Sequence, residues 1–284
     1  MGERVAALLA PRVRVLALTS SPGRREDLRA RNIAPLVGDL DQPATLRRLA
    51  GIAQRVLHLA PPPTHGVAAD AGRDPRTLAL LQALARRGLP KALVYGSTSG
   101  VYGDCGGAWV TEAHPVQPRT ARARRRVDAE AHVRAFGRSA GVRASVLRIP
   151  GIYATDREGG TPRARLERGT PVLAAGDDVY TNHIHADDLA RACCAALWRG
   201  AAQRTYHASD DTVLKMGDYF DLAADLYGLA RPPRLALAEA RAQLPVSLLS
   251  FMQESRRLDN QRMKRELRLV LRHPDVASGL LFNK

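Results

Sequence analysis

The first half of the chain alternates between two kinds of segment, and this restricts its fold more than any other feature. Short apolar runs at 13–18, 34–39, 55–60, 92–97 and 144–149 are separated by helical patterns at 3–10, 24–31, 44–50, 75–87 and 121–136. Strands that alternate with helices at this spacing build a parallel sheet covered on both faces. Right-handed crossovers then collect the strand C-termini on one rim, where ligands bind. The third run stops at Pro61-Pro62-Pro63 and the fifth at Pro150-Gly151. Beyond residue 150 the pattern loosens. Gly159-Gly160 and Gly169-Thr170-Pro171 mark loops. A strand-like stretch over 180–185 leads into a helix over 187–198, 205–208 reads as a short strand, and helices predominate from Met216 onward.

A chain of 284 residues suits one large α/β domain with a smaller lobe. No run approaches the ~18–20 apolar residues needed to cross a bilayer. The first residues show no basic stretch leading into an apolar one, so no signal peptide is expected. Cys105, Cys193 and Cys194 have no metal-ligand spacing, and their odd number argues against a disulfide framework. A cytoplasmic setting without a metal is the expectation. The formal charge of +15 invites a nucleic-acid reading. However, arginine supplies nearly all of it and is spread along the chain. The densest run, Arg122 to Arg126, reads first as a solvated helix face, with a phosphate-binding patch as the alternative. Aromatic residues, at 5%, are too few for base stacking. Neither nucleic acid nor a membrane is expected as a partner.

The fourth run ends in Ser97-Thr98-Ser99-Gly100-Val101-Tyr102-Gly103-Asp104. This resembles the S-[ST]-x-x-V-Y-G motif of extended short-chain dehydrogenases/reductases, the NAD-dependent epimerase/dehydratase group. Further stretches resemble the same family in the same order. They are Gly38-Asp39-Leu40-Asp41, His58-Leu59-Ala60-Pro61, Leu147-Arg148-Ile149-Pro150-Gly151-Ile152-Tyr153, Ile184-His185-Ala186-Asp187-Asp188, and Ser255-Arg256-Arg257-Leu258-Asp259-Asn260. The resemblance implies a Rossmann-type doubly wound parallel sheet with a smaller C-terminal substrate lobe. The nucleotide-binding domain would comprise 1–150 and 181–209, and the lobe 151–180 and 210–284. It places Thr98 at the position of the catalytic hydroxyl. His58, His185, Arg257 and Asn260 read better as packed or hydrogen-bonded residues. Asp187 or Asp188 reads as a helix cap.

The chain departs from the family in two places. The family opens with a strand and a glycine-rich loop that brings the backbone close to a pyrophosphate. Here Gly2 stands for the last glycine, and the first strand and most of that loop are absent. A start further upstream is expected, and the chain as it stands is expected to bind cofactor weakly and to be poorly stable. The family's Tyr and Lys positions fall on Arg122 and Arg126, aligned through Pro118 and Glu130. An arginine cannot act as a base. Arg122 could polarise a carbonyl or hold an acidic substrate, and Tyr102, Tyr153 or His183 remain as proton donors. Ser99 and Gly100 stand where dehydratases carry acids, which speaks against dehydration.

NAD-preferring members carry an acid at the end of the second family strand. Here that end holds Ser20 with Arg24 and Arg25, which favours NADP over NAD. By resemblance the cofactor would touch Gly2, Ser20, Arg24, Arg25, Asp39, Leu40, Ala60, Pro61, Arg126, Pro150 and Ile152. Thr98, Arg122 and Tyr102 would be catalytic. The expected function is an NADP(H)-binding oxidoreductase or epimerase-like enzyme acting on a small polar or nucleotide-linked carbonyl or alcohol. A non-catalytic NADP(H) sensor or scaffold is the alternative. The resemblance also admits a homodimer through the helices at 75–87 and 121–136.

Overall fold

The computed structural model describes residues 1–281. In the first half, helices α1 (Gly2–Leu9), α2 (Arg25–Ala30), α3 (Val67–Asp70), α4 (Pro75–Ala85) and α5 (Ala121–Ser139) accompany six strands. These are β1 (Val15–Thr19), β2 (Ile33–Val37), β3 (Arg55–His58), β4 (Ala92–Thr98), β5 (Trp109–Val110) and β6 (Arg143–Ile149). The second half carries strands β7 (Gly151–Tyr153), β8 (Val172–Leu173), β9 (Tyr180–Thr181), β10 (His183–His185), β11 (Arg204–His207), β12 (Leu214–Lys215), β13 (Arg234–Leu235) and β14 (Arg257–Leu258). Its helices are α6 (Arg163–Glu167), α7 (Ala186–Arg199), α8 (Met216–Tyr227), α9 (Leu237–Gln243), α10 (Val246–Leu249), α11 (Gln261–Glu266) and α12 (Val276–Leu281).

The central sheet has the order β11-β6-β4-β3, with every pair parallel. Successive side chains of β4 point to opposite faces. Leu93 and Tyr95 pack with Leu80, Leu84, Val133 and Phe136 of α4 and α5. Val94 packs with Leu189, Cys193 and Leu197 of α7. Burying an aliphatic side chain fully stabilises by about 1.5–3 kcal/mol, so this doubly covered strand is the stable centre of the molecule. A separate core in the C-terminal half gathers Tyr153, Val172, Leu173, Phe220, Leu249, Val276 and Leu280. Met263, Leu267 and Leu269 turn back and join the core beneath α7.

The parallel sheet is interrupted among the described residues: β1 and β2 pair only with each other. All five residues of β1 are therefore half-buried, whereas six of the seven in β4 are buried. Among the described residues the outer side of β2 carries no partner, so Pro35 occupies a strand position where its missing N–H costs nothing. The stretch at 44–50, read as an α-helix, is a 3₁₀ helix over Pro43–Leu49. The Thr45 hydroxyl bonds back to the carbonyls of Gln42 (2.7 Å) and Asp39 (3.2 Å), which tightens the first turn.

Other contacts join the two sheets. On α1, Val5 packs into the core of α7, and Ala6 packs with Leu28 and Ile33 beside β1 and β2. Arg76, in the first turn of α4, grips Asp41 with Nε (2.7 Å) and Nη2 (2.6 Å) and the Pro61 carbonyl with Nη1 (3.0 Å). The segments that follow β2 and β3 are thereby held side by side.

Candidate active site

The residues expected to touch a cofactor stand just beyond strand C-termini. Ser20 follows β1, Asp39 and Leu40 follow β2, Ala60 and Pro61 follow β3, and Pro150 and Ile152 flank the end of β6. None of them is buried. Gly2 is exposed at the start of α1, whose N-terminus has no side-chain cap, and a Cβ there would meet nothing within 4 Å. Unburied strand tips beside open helix N–H groups fit a dinucleotide laid along the rim. Arg24 is already committed, to Glu3 (2.6 Å) and Asp27 (3.1 Å), whereas exposed Arg25 makes no ion pair among the described residues.

Thr98 ends β4, half-buried, and its Oγ1 accepts the Gly100 N–H at 3.2 Å. This bond caps a short 3₁₀ turn over Ser99–Tyr102. Beneath Thr98 lies a buried polar chain. Ser97 Oγ donates to Glu130 Oε1 (2.6 Å), and Arg148 forks onto Glu130 through Nε (3.1 Å) and Nη2 (2.8 Å). Arg148 Nη1 donates to the Tyr102 hydroxyl (2.7 Å), which in turn donates to His207 Nε2 (2.5 Å). The other nitrogen of His207 donates to the Asp259 carbonyl (2.8 Å), which fixes the tautomer. Burial pushes the Tyr102 phenol up to about 12 and His207 down to about 3. The phenol of Tyr102 is thus sealed inside this network and 1% exposed, not presented to a ligand.

Helix α5 brings its arginines to the same end of β4. The side chain of Thr120 caps its first turn, accepting the Ala123 N–H at 3.1 Å. The run is not a solvated face throughout, because Arg125 is buried. Arg126 Nη1 donates to the Gly96 carbonyl (2.8 Å) and the Tyr95 hydroxyl (3.1 Å), so it is bound to β4 itself. The Arg122 guanidinium lies over the Phe251 ring at 4.4 Å. Lost hydration lowers its pKa, Glu254 pulls it back up, and Arg126, Arg256 and Arg125 lower it further.

Glu254 is the residue that sequence reasoning missed. A Cβ on Gly100 would stand 3.6 Å from Thr98 Oγ1 and 3.9 Å from Glu254 Oε2, so one small volume over Gly100 touches both oxygens. Arg256 Nη1 holds Glu254 Oε2 at 3.0 Å and the Gly103 carbonyl at 2.7 Å. Thr98 shares the space over Gly100 with this carboxylate, whose charge also acts on Arg122. A cavity of about 280 Å³ lies elsewhere, lined by Trp109, Asn182, Asp210 and Arg257, and includes neither Thr98 nor Arg122.

The remaining candidates have structural partners. The Tyr153 hydroxyl donates to the Asp275 carbonyl (3.0 Å). His183 is buried against Tyr219, with ring centroids 4.3 Å apart, and burial pushes its pKa down to about 4. His58 Nε2 donates to Thr77 Oγ1 (2.9 Å). Neither Asp187 nor Asp188 caps α7. His185 Nδ1 does so, accepting the Asp187 N–H at 3.2 Å. Asp187 pairs with Arg4, and Asp188 accepts the N–H groups of Arg272 and His273. Asn260 Nδ2 ties down the carbonyls of Ser209 and Asp210. No helix among the described residues is long and apolar enough to cross a membrane.

A sequence profile described as the NAD dependent epimerase/dehydratase family matches residues 2–209. No curated protein matches the chain. Among solved structures, a functionally unknown conserved protein from Silicibacter pomeroyi DSS shares 30% identity at a TM-score of 0.78, over 99% of this chain and 93% of that one. A UDP-glucose 4-epimerase from Thermotoga maritima, solved with UDP-glucose, shares 20% identity at 0.76, over 98% and 92%. A double mutant of a dTDP-glucose 4,6-dehydratase from Streptomyces venezuelae, solved with NAD, shares 20% at 0.75, over 98% and 92%. The last two are alike in fold.

Proposed function

We propose that this chain, which belongs to the NAD dependent epimerase/dehydratase family, holds NADP(H) along its strand tips and acts on a carbonyl or alcohol of a small polar or nucleotide-linked substrate. The observation that carries the reading is the Thr98 hydroxyl at the tip of β4, facing the space over Gly100 that Glu254 also borders. When bound, the nicotinamide would supply a hydride acceptor or donor. Gly2, Ser20, Asp39, Leu40, Ala60, Pro61, Pro150 and Ile152 would line its path, with Arg126 beside it. Arg25 rather than Arg24 would meet a 2′-phosphate, because the charge of Arg24 is already shared between Glu3 and Asp27.

Within the slot, Thr98 would hydrogen-bond the reacting oxygen. Arg122, charged at all working pH, would polarise that oxygen or hold an anionic part of the substrate. Tyr102 would set the position of the strand end through Arg148 rather than exchange a proton itself. Nucleotide sugars are the first substrates to try, given UDP-glucose and dTDP-glucose in the names of fold relatives.

The test titrates the full chain with NADPH and NADH, then follows reduced-nicotinamide absorbance with a panel of UDP- and dTDP-sugars. NADPH should bind more tightly than NADH, and Thr98→Ala should cost about 100-fold or more in turnover. Failure to bind either nucleotide refutes the reading. Tight NADPH binding without turnover replaces it with the sensor alternative, which the sealed Tyr102 phenol would favour.

A further inference from the structure

Glu254 comes from the C-terminal half of the chain and lies over Gly100 only because the fold carries it there. Its side chain and that of Arg256 are each 11% exposed, sheltered yet open to a small ligand. We propose that Glu254 takes up and returns the substrate's proton in this slot. The inference rests on the reading of the site given above and deepens it.

Proton accounting leads to this residue. Oxidation of an alcohol must place its hydroxyl proton on some group. Arg122 and Arg126 cannot accept one. Tyr102 is locked between Arg148 and His207, Tyr153 is bonded to the Asp275 carbonyl, and His183 is packed beneath Tyr219. A carboxylate oxygen that shares the space over Gly100 with the Thr98 hydroxyl is placed on the side from which a hydroxyl held by Thr98 could be deprotonated. Gly100 leaves the space between them open. Arg256 acts as a positioning residue, gripping Glu254 and the Gly103 carbonyl together. In the oxidative direction the alcohol proton passes to Glu254 Oε2. The C–H hydrogen leaves with its electron pair for an oxidised nicotinamide. Alcohol and carboxylate become carbonyl and carboxylic acid, so protons, electrons and charge balance, and the reverse reaction returns the same proton. Among the described residues the charged and titratable groups near Glu254 include Arg122, Arg256, Cys105 on the loop after Tyr102, and Asp104, which binds the N–H of Ser255.

The test uses the full chain. Glu254→Gln keeps an acceptor for Arg256, so its melting temperature and NADPH affinity should match the wild type. Its turnover on the best substrate of the panel should fall at least about 100-fold, with loss of the low-pH limb of the rate profile. Glu254→Asp should recover part of the rate. A readout independent of turnover is carbodiimide-driven amine coupling mapped by mass spectrometry, in which Glu254 should label in the free protein alongside exposed Glu158. Unchanged turnover and pH profile in Glu254→Gln would overturn the proposal and leave the reading of the site standing. So would a variant whose melting temperature or NADPH affinity falls in step with its rate. Labelling of Glu158 without Glu254 would overturn it on its own. A wild type that binds NADPH but turns over nothing would overturn both.

Discussion

Removing Glu130 should expose how the floor of the slot is held. Its carboxylate accepts two bonds from Arg148, one from Ser97 and a longer one (3.4 Å) from the more exposed Arg134, and the Glu130 and Arg148 side chains are each 5% exposed. In Glu130→Ala the Arg148 guanidinium would stay buried, with the Tyr102 hydroxyl as its one remaining partner from the network described above. Breaking one half of a buried ion pair costs about 3–5 kcal/mol. A domain of this kind holds only about 5–15 kcal/mol in total, so the variant should lose about a fifth or more of its stability. Adding Arg148→Met removes the stranded charge and fills much of its volume. The double variant should therefore be more stable than Glu130→Ala alone, with a coupling energy of about 2–3 kcal/mol. Urea denaturation measures this through the midpoint, provided the slope is unchanged. A cost below about 1 kcal/mol for Glu130→Ala would refute the reasoning, as would a double variant whose losses simply add.

Asp210 is 4% exposed, its Oδ2 has no hydrogen-bond partner among the described residues, and burial pushes its pKa up to about 8. Between pH ~4 and 8 the folded chain keeps a proton that the unfolded chain has released, so stability is fully present below pH ~4 and falls as pH rises toward 8. Asp210→Asn should therefore be more stable than wild type at pH 7 by ~2–4 kcal/mol, with a gap that closes toward pH 4. Parallel stability–pH curves for the two proteins would defeat this expectation. Gly103 has φ +67° and ψ −151°, a conformation open almost only to glycine, and a Cβ there would overlap the Gln117 carbonyl. Gly103→Ala should cost at least about 1–3 kcal/mol in thermal or urea melts and loosen the Arg256 contact. A neutral effect would show that the turn can relax.

The strands were legible because each is a short apolar run closed by glycine, proline or a hydroxyl residue. Thr98 was legible as the hydroxyl at the end of one such run. The absent first strand already implied that two neighbouring strands would lack a partner, and β1 and β3 each have one unpaired side among the described residues. The residues of β1 read as a fully buried strand, yet they are half-buried because one side lacks a partner. Tyr102 stands in the right motif, but only the fold shows that Arg148 and His207 enclose its phenol. His185 rather than an aspartate caps α7, because Asp188 is drawn inward by the N–H groups of Arg272 and His273. Glu254 gave no local signal. It lies far along the chain from Thr98, in a segment whose motif drew attention to Arg257 and Asn260 instead.

How that segment is fixed bears on whether a loop carboxylate can serve a reaction at all. A catalytic group must be held to a fraction of an ångström, which free loops rarely achieve. Here the Ser255 N–H bonds to Asp104 Oδ1 (2.9 Å), and the Ser255 carbonyl takes the N–H groups of Cys105 and Gly107 (3.0 Å each). Two residues on, β14 pairs with β5 in register, Arg257 opposite Trp109 and Leu258 opposite Val110. The loop after Thr98 and the segment bearing Glu254 are therefore one hydrogen-bonded unit. Met263 and Leu267, a few residues further, fasten it to the core beneath α7. A chain with arginines at positions 122 and 126 can draw its acid–base group from the C-terminal half because that half is laced to the turn that presents Thr98. Any change that unzips β5 from β14 should then depress turnover as strongly as the loss of Glu254 itself, while leaving the binding of NADPH at the strand tips intact.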